Sequence, residues 1–440
     1  MRQDPDIVVV GGGVVGLFCA YHLRRAGRSV AVVERGSLGG PQSCSSGNTG
    51  FAGTHGATPL AEPGVVAQGL RWLLNPESPF YVKPRLDLEL LRWLWHFRQA
   101  CNAEDAAAGF RVLVEMKQRS LAILREVCAE GSLASTLTAR GMVLAFKTPQ
   151  AFEKACRAVP QAVAYGVPLR VLAASELEEL EPDVEFDVSG ALYNEEGAYL
   201  HLPDFIHQFA RLLKEMGVEL HSGTEVVGFE VAERRVERVL TDRGDLCPDE
   251  VVIAAGAWSA ECARKLRIEL ELQPAKGYSV TVRRPGNAPR LPLLLSEGKV
   301  ALTPLGDRLR LGGTLELSGM SIAVSRQRVE GILKTVRAFL PRLEPTETVE
   351  VWSGLRPCTP DGLPLLGRAE PYRNLSIASG HGHIGMGLAP FGGKLIAQII
   401  AGEEPDVDPA PFRIGRQGRR RPTTARLPAQ RRIPWLAQRR

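Results

Sequence analysis

The 440-residue sequence predicts an α/β fold: a Rossmann-type, dinucleotide-binding parallel sheet joined to a second domain of mixed or antiparallel sheet plus helices. Three observations predict it. The β-branched run Ile7–Val10 leads into Gly11-Gly12-Gly13-Val14-Val15-Gly16 and then into a helical pattern. A run of the same kind, Val251–Ala255, recurs far downstream and also ends at a glycine, Gly256. Residues 275–318 alternate as strands around turns at Pro285-Gly286-Asn287 and Gly306-Asp307.

In chain order, Ile7–Val10 reads as a buried parallel strand and Val14 to Ala26 as a helix stopped by Gly27. Ser29–Val33 is the second buried strand, closed by Glu34. Residues 36–64 are rich in Gly, Ser, Thr and Pro, and a stretch that long without periodicity points to function. Residues 65–135 carry helical patterns with Trp72, Trp93, Leu94 and Trp95 on apolar faces. Ala139–Phe146 predicts a strand, Pro149 to Tyr165 a helix, and 190–200 a strand. Pro203 to Gly217 is amphipathic, with Phe205, Ile206, Phe209, Leu212 and Leu213 at helical spacing. Strands follow at 218–231 and 235–241. A helix is expected over 325–340, a second Gly-rich region over 349–387, and a last helix from Pro390 to Ala401.

Composition narrows the class. Hydrophobic residues at 44% and charged residues at 23% are ordinary for a globular enzyme. No apolar run approaches the roughly 20 residues of a membrane-spanning helix, and the N-terminus has no secretory pattern, so a cytoplasmic location is expected. Eight scattered cysteines form no C-x-x-C pair, and no cluster has zinc spacing, so neither a disulfide scaffold nor a metal is expected. The formal charge of +5 is misleading, because residues 416–440 hold nine arginines and no Lys, Asp or Glu. Without that segment the body is mildly acidic.

The glycine fingerprint has a physical reading. Gly11 permits the tight turn, Gly13 lets pyrophosphate approach the backbone, and Gly16 lets helix and strand pack closely. The helix N-terminus offers N–H groups to phosphate. Glu34 follows at the spacing of a ribose-binding acid and disfavours a 2′-phosphate. The second strand-turn at Val251–Ser259 and the glycines of Gly380–Gly387 point to FAD.

These segments together resemble the D-amino acid oxidase superfamily, most closely its bacterial FAD-dependent D-amino acid dehydrogenases, including the D-hydroxyproline type. The blocks are Gly11–Glu34, Ser45–Gly50, Pro274–Ser279, Leu311–Thr314, Trp352–Gly362 and Gly380–Gly382. The resemblance implies FAD held by Gly11, Gly13, Val14, Val15, Gly16, Glu34, Arg35, Ser45, Ser46, Asn48, Gly50, Val226, Ala255, Gly256, Trp258, Gly382, His383, Ile384 and Gly385. It places Arg356 on the substrate carboxylate, Tyr278 near it, and His55 in the substrate loop. His381 and His383 read as structural rather than as bases. The implied partition is an FAD domain from 1–85, 195–270 and 350–412, a substrate domain from 86–194 and 271–349, and a basic tail over 413–440.

The expected activity is oxidation of the α C–N bond of a D-amino acid, with D-proline or cis-4-hydroxy-D-proline as the leading substrates. Electrons would pass to a quinone or the respiratory chain. The alternative is an O₂-using oxidase of glycine or sarcosine-type amines. No nucleic-acid partner is expected, while the basic tail suggests peripheral membrane contact.

Overall fold

The structure is a computed structural model that describes residues 4–54, 56–73, 77–129, 131–343 and 347–416. Ile7–Val10 (β1) is buried along its whole length, as a strand covered on both faces must be. It lies inside a six-stranded sheet ordered β10 (Glu219–Ser222), β2 (Val30–Glu34), β1, β13 (Glu250–Ile253), β20 (Leu375–Ser379), β19 (Leu365–Arg368). All neighbours are parallel except the β19–β20 hairpin.

A second sheet has nine strands. Its order is β18 (Thr348–Cys358), β14 (Gln273–Arg283), β17 (Arg308–Leu317), β16 (Val300–Leu305), β15 (Leu293–Leu295), β6 (Met142–Phe146), β8 (Gly190–Asn194), β7 (Leu169–Leu172). The ninth strand, β4 (Phe80–Val82), runs parallel to the end of β17. This sheet is mixed, since β15 and β6 are also parallel. Two smaller units complete the strands: β3 (Phe51–Ala52), β5 (Leu137–Thr138) and β9 (Ala198–Leu200) in one, and the hairpin of β11 (Val226–Ala232) and β12 (Arg235–Thr241) in the other. The helices are α1 (Val14–Arg25), α2 (Val65–Leu73), α3 (Leu88–Ala100), α4 (Ala103–Val127), α5 (Pro149–Ala164), α6 (Ala174–Leu180), α7 (Leu202–Glu215), α8 (Ser259–Lys265), α9 (Arg326–Phe339) and α10 (Gly385–Ala401).

The parallel sheet is covered on both faces. One face packs Phe18 of α1, Met116 of α4, Phe209 of α7 and Phe391 of α10 around Ile7 and Val9. The other packs Val236 and Val239 of the hairpin and Ala263 of α8 onto Val8 and Val251. The second sheet keeps its own core, with Tyr278 and Val280 against Ile332 and Val336 of α9. By length and composition Gly382–Ala401 is apolar enough to span a bilayer, but it is mostly buried inside the protein and serves as a core helix.

The expected partition needs correction in four places. Helix α4 was expected with the substrate domain, but Leu113, Met116, Leu121 and Leu124 share the core of the parallel sheet. Its apolar stripe is satisfied by α10 rather than by the second sheet. Strand β18 was expected with the cofactor segment, but it hydrogen-bonds along β14 of the second sheet. Conversely β4, inside the expected 1–85 segment, joins β17 of the second sheet. Finally, residues 413–416 belong to the body. Ile414 packs on the core beneath β13 and β20, and Arg416 is held by Asp361 through Nε and Nη2, each at 2.8 Å, and by the Leu363 carbonyl at 2.6 Å. The rest of the expected tail, 417–440, lies outside the described residues. Helix α10 also begins five residues before Pro390, the expected first residue. Glycine-rich sequence before a proline looks like loop, but here the first turn is stabilised by burial of Met386 and Leu388.

Because the Arg416–Asp361 pair is largely shielded, with side chains 9% and 14% exposed, breaking it is expected to be costly. Arg416→Ala should lower unfolding free energy by about 3 kcal/mol, measured by urea denaturation. A chain ended after Arg416 should keep the wild-type midpoint, and equal loss in both variants would show that the pair is not the anchor.

Candidate functional site

The main cleft opens at the C-terminal ends of β1, β2 and β13, where an open parallel sheet places its ligands. The first turn is built by close approach. Gly11 has φ +112°, and a Cβ there would lie 2.6 Å from the Ala254 carbonyl oxygen. A Cβ on Gly16 would lie 1.9 Å from the Gly11 carbonyl oxygen. Any side chain at Gly16 would therefore push α1 off β1. Gly13 is different: a Cβ there would have only the hydroxyl oxygens of Ser45 and Ser43 nearby, at 3.6 and 4.0 Å, so the space before the helix is open. The Val14 N–H donates to Ser45 Oγ at 3.1 Å, and no acid stands in the first turn of α1.

One end of the cleft is set by Glu34. Its carboxylate accepts from the Gly12 N–H at 2.8 Å and from the Gly36 N–H at 2.9 Å, which fixes its direction at the end of β2. Beside it the Arg35 guanidinium lies 4.5 Å from the Trp258 ring centre. Val226, Ala255 and Gly256 line the same end. The other end is lined by Asn48, Gly382, Gly385 and Met386, where the N-terminus of α10 faces the cleft. An elongated cleft running past one helix N-terminus to another, with a fixed acid at one end, fits FAD.

The structure therefore brings fourteen of the expected cofactor residues to one cleft: Gly11, Gly13, Val14, Val15, Glu34, Arg35, Ser45, Asn48, Val226, Ala255, Gly256, Trp258, Gly382 and Gly385. The other five act differently or lie elsewhere. Gly16 is packed beneath the turn. Ser46 turns inward and donates to the carbonyls of Gly40 and Ser43 at 2.8 and 2.7 Å. Gly50, at φ +74°, has no room for a Cβ against the Leu200 carbonyl. His383 and Ile384 line a smaller cavity with Thr58, Pro59, Leu60 and Thr359.

Arg356 lies toward the C-terminal end of β18. Its Nη1 donates to the Thr314 carbonyl at 2.5 Å, and it makes no ion pair with a carboxylate among the described residues. Two features of the backbone make room for it. A Cβ on Gly277 would fall 2.2 Å from the guanidinium carbon. Thr314 sits at φ +64°, an unusual conformation for a β-branched residue, where the β14–β17 register shifts and turns that carbonyl toward Arg356. The Arg356 charge is felt by Cys44 and Cys358 and, together with Lys117 and Lys299, by His383.

Tyr278 is a correction. It is buried in the core of the second sheet, and its hydroxyl donates to Glu316 Oε2 at 2.7 Å. Glu316 in turn pairs with buried Lys276 at 3.1 Å. Burial and the neighbouring carboxylate both push the Tyr278 phenol up. A hydroxyl committed in this way does not reach the cleft. His55 lies outside the described residues.

Three contributors were not expected. Buried Arg310 donates to the carbonyls of Ser46 and Asn48 at 2.6 and 3.2 Å, holding the cleft loop from the second sheet. The only signal in the sequence is an arginine between two leucines of a strand. Trp352 donates to the Pro41 carbonyl at 2.6 Å and fills the space beside Gly47. Lys117 of α4 is buried, donates to the Gly53 carbonyl at 3.3 Å, and is pushed down to about 7 by burial.

The sequence profile of the FAD dependent oxidoreductase family (DAO) matches residues 6–399. The D-amino acid dehydrogenase of Granulibacter bethesdensis is 32% identical over 417 residues, which cover 93% of this chain and 99% of that protein. The D-amino acid dehydrogenase of Rhizorhabdus wittichii is 33% identical over 420 residues, covering 93% and 99%. Among solved structures, glycine oxidase from Geobacillus kaustophilus superposes with a TM-score of 0.74 at 26% identity, covering 94% of this chain and 99% of that one. The chain belongs to the DAO family of FAD-dependent oxidoreductases, and FAD is its cofactor.

Two outcomes follow from the geometry. Gly13→Val should fold, since its surroundings are open, yet purify with little or no flavin because the side chain enters the phosphate path. Stoichiometric flavin in that variant would refute the placement. The second concerns acid. Burial pushes His381 down to about 4. It stays neutral in the fold while the unfolded chain protonates below the ordinary pH 6.5. Stability is thus intact above pH 6.5 and falls as pH drops toward 4, by up to about 1.4 kcal/mol per pH unit. Thermal midpoints across that window should fall less steeply for His381→Gln, and an unchanged slope would exclude His381 as a contributor.

Proposed function

We propose that this chain is an FAD-dependent dehydrogenase that oxidises the α C–N bond of a D-amino acid. The observation that carries this is Arg356, a guanidinium without a carboxylate partner among the described residues, on the strand whose Leu355 and Pro357 line the cofactor cleft. An unpaired, partly buried arginine requires an anion, and a planar fork suits a substrate carboxylate. The names of the two relatives support a D-amino acid as the donor.

The bound cofactor supplies the two-electron acceptor at the α-carbon. What the chain supplies is position and charge. Arg356 keeps one donor on Thr314 and presents its remaining N–H groups to the carboxylate, which fixes the α-carbon against the cofactor face. The Arg356 guanidinium disfavours a further positive charge beside it, so a substrate ammonium held there would lose its proton more readily than in water. Neutral, buried His381 is too weakly basic to hold that proton, so it passes to solvent. The loop held by Arg310 and Trp352 covers the cleft and limits water.

The narrower reading is D-proline or cis-4-hydroxy-D-proline as substrate, a quinone or other respiratory-chain component as electron acceptor, and a cytoplasmic enzyme that contacts the membrane periphery through its basic segment. The likeness to glycine oxidase favours one second reading, an O₂-using oxidase of glycine or sarcosine.

Anaerobic mixing of the holoenzyme with D-amino acids, D-proline, cis-4-hydroxy-D-proline, glycine and sarcosine should bleach the flavin with D-amino acids and not with their L-forms. Slow recovery in air identifies a dehydrogenase, and rapid recovery an oxidase. Bleaching by L-amino acids alone would overturn the proposal. Arg356→Lys keeps charge but loses the fork, so kcat/KM should fall by at least roughly thirtyfold, about 2 kcal/mol, with flavin retained. Gly277→Ala should produce the same defect by displacing the guanidinium. Wild-type kcat/KM in both would remove Arg356 from the mechanism.

A further inference from the structure

Two lysines are buried among the described residues, and the fold treats them differently. Lys276 is neutralised by Glu316 at 3.1 Å in the second sheet. Lys117, on α4 and 2% exposed, is aimed at the first turn of α10. A Cβ on Gly387 would lie 3.4 Å from its Nζ and 3.8 Å from the Phe51 carbonyl oxygen, and the Nζ donates to the Gly53 carbonyl at 3.3 Å. Helix α4, the chain at β3 and helix α10 therefore meet at one amine. Gly387 is the third residue of α10, and the two before it, Gly385 and Met386, line the cofactor cleft. Lys117 thus stands behind the turn of backbone whose other side faces the FAD cleft.

A cation is out of place there. The N–H groups of that turn carry the positive end of the α10 dipole, and no acid stands in the turn to offset them. The segment before α10 contributes His381 and His383, of which His383 feels the Lys117 charge. The loop contributes Gly53 and Thr54, whose hydroxyl accepts from Asn194 Nδ2 at 3.1 Å. On α4, Ser120 accepts from the Phe391 N–H at 3.2 Å, while Glu115 and Arg119 pair with each other at 3.0 Å. Burial holds the Lys117 amine down at about 7, far below an ordinary lysine. An amine so placed gains a proton when negative charge arrives nearby. Two-electron reduction of FAD brings that charge. A hydride adds two electrons and one proton to a neutral ring system and leaves it one unit negative, in the cleft that this turn faces.

We propose that Lys117 is the counter-charge to the reduced cofactor, neutral while FAD is oxidised and protonated when the cleft gains negative charge. It acts through the first turn of α10 and not by contact with the substrate. The balance is two electrons and two protons for each FAD. The hydride carries both electrons and one proton to the cofactor, and the second proton passes from solvent to the Lys117 amine. By reciprocity, the charge on Lys117 makes the cofactor easier to reduce. The proposal rests on FAD in this cleft and is independent of which amino acid is the donor.

The test is the midpoint potential of the full-length, FAD-loaded protein, measured against reference dyes from about pH 6 to 10 with dithionite as reductant. Between about pH 7 and 9 the wild-type potential should fall with pH roughly twice as steeply as that of Lys117→Met, two protons per two electrons against one. Lys117→Met should lie below the wild type near pH 6, where the lysine is charged, and meet it near pH 10, where it is neutral in both cofactor states. Lys117→Arg keeps its charge at every pH, so its potential should stay above that of Lys117→Met throughout. A lysine that only ties the Gly53 carbonyl to α4 would alter flavin content or the thermal midpoint and leave wild-type and Lys117→Met potentials parallel in pH, and parallel lines overturn the proposal. Should Lys117→Met fail to retain flavin, the wild type decides alone: a slope of one proton per two electrons across that window overturns it as well. Dithionite takes the place of the amino acid, so a failed substrate assignment leaves this result untouched.

Discussion

The contact between Gly16 and the carbonyl of Gly11 exists because neither residue carries a Cβ, and the positions of both cofactor-facing helices follow from it. With that approach, α1 lies directly against β1 and points its N-terminus into the cleft. Helix α10 then docks on α1 by the same device. Gly393 meets the Phe18 backbone so closely that a Cβ would fall 2.5 Å from its carbonyl carbon. Two helix N-termini, at Val14 and Gly385, thus converge on one cleft from distant chain segments. Their distance is set by backbone contact rather than by adaptable side chains, so it tolerates little substitution.

The second sheet is registered to the first through the cleft loop. Arg310 holds the carbonyls of Ser46 and Asn48, Thr303 donates to the Thr49 carbonyl, and Trp352 fills the space that Gly47 leaves. The strand carrying Trp352 also carries Arg356. One strand therefore fixes the loop against the cofactor cleft and carries Arg356, the proposed carboxylate anchor. The strained Thr314 has a rationale in this arrangement. Its left-handed backbone costs energy that a regular strand would not, and the return is a carbonyl aimed at a guanidinium that no acid among the described residues neutralises.

The sequence revealed the parts governed by short-range rules. The turn glycines, the buried β-branched strands and the acid ending β2 each have a local physical reason, and all fall where that reason puts them. What it concealed was partnership between distant segments. The stripe of α4 is compatible with either domain, and only packing against α10 decides between them. Tyr278 has the residue type of a substrate contact, but strand alternation sends it to the core side, where Glu316 receives its hydroxyl. Arg310 sits in an apolar strand context that normally signals simple burial. The resemblance in the Trp352–Gly362 block pointed to Arg356, whereas the glycine and the carbonyl that hold it are visible only in three dimensions.

Because the loop between β2 and β3 touches both sheets, cofactor binding and domain docking are thermodynamically linked. A group that occupies the cleft contacts Ser45 and Asn48 from one side while Arg310 and Trp352 hold the same loop from the other. Any ordering of that loop by the cofactor strengthens the attachment of the second sheet, and the reverse holds by reciprocity. The same coupling gives a reason for the proposed carboxylate anchor, Arg356, to reside on the second sheet rather than on the Rossmann scaffold. Once the loop is ordered, Arg356 is carried by a rigid strand, so in the proposed reaction the geometry between donor carbon and cofactor would be fixed by strand pairing along β14 and β18 rather than by a mobile side chain.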